Sequence, residues 1–130
     1  MKKADCSAYL LLELGFYPQL TGFAFLAYAI GAVAEDPARF YTRKVRPIAL
    51  VAESLGLDPE NVRRDMLYAL RTAWETRGNT ALRRLCPKNG EGYPPQLYEF
   101  IFRLALELNR RLSSPGQGEA SEDRAASSRI

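Results

Sequence analysis

Residues 47–76 read PIALVAESLGLDPENVRRDMLYALRTAWET, and the reading of this stretch decides the fold. Two helical patterns lie on either side of one glycine. The first covers about 47–55 and opens on Pro47, which a first helical turn tolerates because its missing N–H would have no partner there. The second starts at Asp58-Pro59-Glu60. Asp58 is a capping residue type, Pro59 suits the first helical position, and Glu60 sits at the positive end of the helix dipole. This helix runs to about Thr76, ahead of Gly78-Asn79. Gly56 tolerates the left-handed backbone of a tight turn. Ala52 is small enough for two helices to cross. Val51, Leu55, Leu57 and Val62 are read as apolar residues flanking the turn and lining the inner face, which continues through Met66, Ala69, Leu70 and Ala73. The pattern predicts a helix-turn-helix.

Outward from this pair the 3.6-residue period persists, and no alternating strand pattern appears. Further helices are expected over about 7–14, stopped by Gly15 and Pro18, and over 21–35, with Thr21 as a cap. The second of these ends before Asp36-Pro37, because proline disfavours helical geometry in the residue preceding it. Residues 80–85 and 96–112 give two more, separated by the loop PKNGEGYPP at 87–95. The basic and aromatic stretch 38–46 reads as either a short helical turn or a loop. Residues 113–130, SSPGQGEASEDRAASSRI, have almost no core formers and read as a disordered tail. The expected architecture is all-α: one six-helix domain over 1–112 containing the helix-turn-helix, followed by that tail.

Gly22 to Ala34 reads GFAFLAYAIGAVA, a thirteen-residue apolar run. A bilayer span needs about 20 residues. A signal peptide would carry its apolar stretch directly after Lys2-Lys3, where Asp5 and Glu13 intervene. The run therefore reads as a buried helix, with a cytoplasmic location and no membrane partner expected.

The chain has 130 residues, 18 Lys+Arg against 15 Asp+Glu, and no histidine. Without imidazole there is no Ser-His or Cys-His nucleophile, no histidine-bound zinc and no histidine pH switch. Cys6 and Cys86 lack metal-ligand spacing and read as reduced, inert apolar residues. No phosphate-cradling loop or metal-ligand cluster is present, so no cofactor is expected, and catalysis is the poorest reading. The charge is uneven: residues 41–84 hold nine basic and five acidic side chains, while 1–40 sum to −1 and 85–130 to zero. Such local surplus is the electrostatic footprint of a polyanion-binding surface, although a solvated helix face gives similar counts.

The helix over 58–76 concentrates this chemistry. In a helix-turn-helix the N-terminal half of the second helix enters the major groove. Arginine offers a bidentate fork to guanine, asparagine to adenine, and an apolar side chain meets the thymine methyl. Asn61, Arg63, Arg64, Leu67 and Tyr68 form the candidate base-reading set. Lys44, Arg46, Arg71 and Arg77 are the candidate phosphate contacts. Two helices joined by a glycine turn also occur in plain bundles, and Leu67 and Tyr68 would equally serve a protein interface.

Over about Leu10 to Leu108 the chain resembles the C-terminal DNA-binding domain of the stage-zero sporulation master regulators of spore-forming Firmicutes. The shared residues are Glu13-Leu14-Gly15, Gly22-Phe23 with Leu26, Ala29-Ile30 with Val33, then Val62, Arg64 and Ala69. They continue through Ala73-Trp74, Arg77-Gly78-Asn79, Pro95 and Glu99-Phe100-Ile101. The resemblance implies a six-helix domain that binds short promoter boxes in double-stranded DNA, often as tandem dimers. It further implies a homodimer or tandem dimer on DNA, transcription regulation and RNA polymerase as a partner. The family's recognition helix carries Arg, Glu, Arg, Arg and His where this chain has Asn61, Arg63, Arg64, Leu67 and Tyr68, so only Arg64 is retained. An extra residue also lies between Trp74 and Arg77. Only five residues precede Cys6, which leaves no room for the family's phosphoacceptor receiver; Met1 and the natural-looking tail favour a free-standing paralogue over a fragment. The leading expectation is a sequence-specific transcription regulator not phospho-controlled within this chain. The alternative is an interaction module that pairs with or antagonises a full-length regulator.

Overall fold

The central apolar run folds as anticipated, into a helix whose ten buried residues leave almost no polar face. A helix apolar all round must lie inside its protein, and the other elements are arranged about it. The computed structural model describes residues 2–42, 45–76, 79–86 and 94–113. These form α1 (Lys3–Glu13), α2 (Thr21–Glu35), α3 (Pro37–Tyr41), α4 (Pro47–Leu55), α5 (Pro59–Glu75), α6 (Thr80–Leu85) and α7 (Leu97–Ser113). No strand occurs among the described residues, and the fold is all-α. None of these helices is long and apolar enough to cross a membrane.

α2 packs against α1, α5, α7 and α4. Two glycines allow the closest approaches. A Cβ on Gly22 would lie 2.0 Å from the Asp65 carbonyl oxygen of α5, and one on Gly31 would lie 2.7 Å from the Ala4 Cα of α1. Helix backbones therefore touch without intervening side chains. Around them Leu11, Leu26, Ile30, Met66, Leu70, Phe100, Ile101 and Leu104 are all fully buried in one continuous core. Each such side chain removed from water contributes about 1.5–3 kcal/mol. Trp74 joins this core at 2% exposure, with the Arg83 guanidinium 4.5 Å from its ring centroid. Cys86 is buried, and desolvation raises its thiol pKa above the ordinary value; Cys6 is half-buried.

Helix ends are closed by long-range partners more than by local caps. The Ala34 carbonyl at the end of α2 accepts from Lys3 Nζ (3.2 Å) and Asn109 Nδ2 (3.0 Å). A cation there complements the negative end of the helix dipole. Asn79 Nδ2 donates to the carbonyls of Leu14 (3.0 Å) and Ala73 (2.7 Å), while its Oδ1 accepts from the Leu82 N–H (3.2 Å). One amide thus ties the ends of α1 and α5 to the start of α6.

The six expected helices are present; of the 38–46 stretch, residues up to Tyr41 belong to a short helix, α3, Thr42, Val45 and Arg46 lie outside any helix, and 43–44 lie outside the described residues. α1 begins at Lys3 rather than near Ser7. Thr21 is the first helical residue of α2 rather than its cap: Leu20 holds that position, with no side-chain cap bond. Asp58 does occupy the cap position of α5, yet its side chain makes no capping bond either. Of the expected tail, Ser113 is the last residue of α7, and 114–130 lie outside the described residues.

Candidate nucleic-acid interface

The turn between α4 and α5 is fixed by its backbone. Gly56 has a φ of +68°, the Leu57 N–H donates to the Ala52 carbonyl (2.8 Å), and the Gly56 N–H donates to that of Glu53 (3.3 Å). This is the paired 6→1 and 5→2 closure of a Schellman motif, for which a left-handed residue at the glycine position is required. Beneath it Val51, Ala52 and Val62 are at most 1% exposed, so the two helices cross on small and β-branched side chains. Leu55 and Leu57 depart from expectation. They flank the turn but do not line the inner face, being 47% and 45% exposed. The chain reverses at Gly56 outside the core, so the residues on either side of it are carried to the surface.

α5 buries Val62, Met66, Ala69, Leu70, Ala73 and Trp74. With 3.6 residues per turn this sets the row Arg64, Tyr68 and Arg71 on the opposite side. All three are exposed, as are Asn61 and Arg63. Leu67 is half-buried against the core and lies at the edge of that face. Arg46 is exposed at the start of α4, with its guanidinium 6.0 Å from the Tyr98 ring centroid. Lys44 and Arg77 lie outside the described residues.

The arginines of α5 have no ion-pair partner among the described residues. The four ion pairs found there all involve α7: Glu99–Arg103, Glu107–Arg110, Glu107–Arg111 and Glu13–Arg111. Glu60 and Glu75 stand one turn from Arg64 and Arg71, at helical spacing suited to pairing, yet neither engages them. The basic residues of α7 are thus held by carboxylates, whereas Arg63, Arg64 and Arg71 of α5 are exposed without one among the described residues. Among the described residues no three His, Cys, Asp or Glu side chains gather as a metal site.

Sequence pattern alone missed the wiring of Asn79, read there only as part of a stop signal, and the outward turn of Leu55 and Leu57. No protein-family model and no curated protein matches the chain.

Proposed function

We propose that the protein binds double-stranded DNA through the outward face of α5, with α4, the Gly56 turn and α5 acting as a helix-turn-helix. The observation that carries this reading is the set Arg63, Arg64 and Arg71, exposed and unpaired among the described residues on a helix whose back is seated on α2. A helix held rigidly from behind presents its forks in a fixed register, which base reading requires. Asn61, Arg63, Arg64 and Tyr68 would meet base edges. Leu67, half-buried, would reach only a methyl at the groove wall, and Arg46 and Arg71 would meet phosphates. The likeness to the sporulation regulators supports transcription control, binding as a homodimer or tandem dimers, and contact with RNA polymerase. The altered recognition residues give this chain a target box of its own, since each good bidentate contact carries about 1–3 kcal/mol of discrimination.

The deciding experiment is selection of bound sequences from a random duplex pool at two salt concentrations. An enriched motif, with log affinity falling against log salt at about −0.9 per neutralised phosphate, supports the proposal. No retention of any duplex at low salt refutes it. A second reading is favoured by Tyr68, Leu55 and Leu57, which are 59%, 47% and 45% exposed near the same turn. Aromatic and apolar anchors of this kind suit a protein interface, and the chain would then pair with or antagonise a full-length regulator. Tyr68→Ala abolishing partner capture in a chain that retains no DNA would favour this second reading.

A further inference from the structure

On the face built from α3 and the starts of α4 and α7 lies a cleft of about 420 Å³, within the ~300–1,000 Å³ range of small-molecule sites. Its walls are aromatic. The Tyr41 ring stacks on Phe102 with centroids 5.4 Å apart and planes 17° apart, and Tyr98 lies beneath the Arg46 guanidinium. Tyr41 is 56% exposed, so the stacked pair leaves a flat apolar surface facing water. Phe102 belongs to none of the buried positions of α7, which are Leu97, Phe100, Ile101, Leu104, Ala105 and Leu108. Half-buried against the edge of the core, its ring also walls the cleft.

The described lining carries one guanidinium, Arg46, and one carboxylate, Glu99. Glu99 is engaged by Arg103 Nη2 at 3.5 Å. Arg46 has no carboxylate partner among the described residues. What remains, among the described residues, is a stacking surface with the Arg46 guanidinium at its edge and no carboxylate paired to it. Aromatic rings prefer offset stacking on such a surface, and a guanidinium pairs best with a carboxylate or phosphate through two parallel hydrogen bonds.

We propose that this cleft binds a small planar aromatic anion, its ring laid against Tyr41 and Phe102 and its acidic group taken by Arg46. The site shares Arg46 with the proposed phosphate contacts but does not rest on the DNA reading, and it is tested without DNA. The full chain is titrated calorimetrically with three probes of matched shape or charge: 2-naphthoate, the uncharged 2-naphthamide, and the saturated decalin-2-carboxylate. Saturable one-to-one binding of 2-naphthoate is expected, with a rise in melting temperature. The amide and the saturated acid should each bind at least about tenfold more weakly, as should 2-naphthoate itself to Arg46→Gln and Phe102→Leu. Tenfold corresponds to one charge-assisted hydrogen bond or a comparable stacking loss. Phe102→Leu keeps an apolar side chain but removes the ring, and its melting curve checks that it folds; if it does not, Arg46→Gln on the exposed rim decides alone. Absence of saturation through the millimolar range, equal binding of acid and amide, or unchanged binding to Arg46→Gln overturns the proposal.

Discussion

Gly22 of α2 meets Asp65 of α5 backbone to backbone: a single added carbon would come within 2.0 Å of the Asp65 carbonyl oxygen. The exposed arginines of α5 are therefore set at a height above the core that only hydrogen at position 22 permits. Gly22→Ala must push the two helices apart. Overpacking of this kind costs about 1–3 kcal/mol, so its urea midpoint should fall well below wild type. Trp74, buried and the one tryptophan of the chain, supplies the fluorescence signal. Gly56→Ala meets nothing within 4 Å and incurs only the left-handed backbone penalty, about 1–2 kcal/mol.

Asn79→Ala removes three hydrogen bonds at once and strands the carbonyl of Leu14, leaving that of Ala73 with the Thr76 N–H. A loss of about 1–3 kcal/mol is expected in chemical denaturation. Asn79→Asp keeps the acceptor for the Leu82 N–H but loses both donors, and should remain clearly destabilised.

Arg64→Ala and Arg71→Ala should separate in kind. If Arg64 reads a base, its loss costs about 1–3 kcal/mol on the selected duplex and little on scrambled ones. Arg71→Ala should weaken all duplexes alike and lower the salt slope by about 0.9. Fluorescence anisotropy over a salt series measures both.

Acid sensitivity should concentrate at Glu107. The side-chain hydrogen bond from Arg110 is the largest influence; together with that from Arg111 it outweighs desolvation and lowers the Glu107 pKa from 4.5 to about 2. A depressed carboxylate contributes stability that is complete above its unfolded pKa and is lost as pH falls towards the folded one. Between pH 4.5 and about 2 the wild type should lose stability more steeply than Glu107→Gln, as read from urea midpoints across that window.

Much of this fold can be read in the sequence because its signals are local. The apolar run of α2, the Asp58-Pro59 start of α5 and the Gly56 turn each depend on neighbouring residues. The start of α1 carries no local signal, because Lys2 offers no side-chain cap; that helix is secured by Lys3 reaching Ala34 and Asn109. Trp74, one position past the apolar stripe of α5, reads as a core residue and is buried, but the Arg83 guanidinium over its ring comes from α6 and no local pattern shows it. Leu55 and Leu57 looked interior by composition, and only the direction of the turn puts them outside. The exposed arginines of α5 follow from the periodicity of its buried face, whereas sequence spacing alone would pair Arg64 with Glu60 and Arg71 with Glu75, and neither pair forms.

Cys86 offers a way to time events inside the molecule. Its sulfur is 1% exposed as part of its residue, and burial keeps the thiol neutral, while alkylating reagents attack the thiolate. Modification at that position must wait for the corner around α6 to open, whereas Cys6 stands nearer the surface and reacts ahead of it. The slower of the two labelling rates, followed without denaturant, is a stopwatch on local opening.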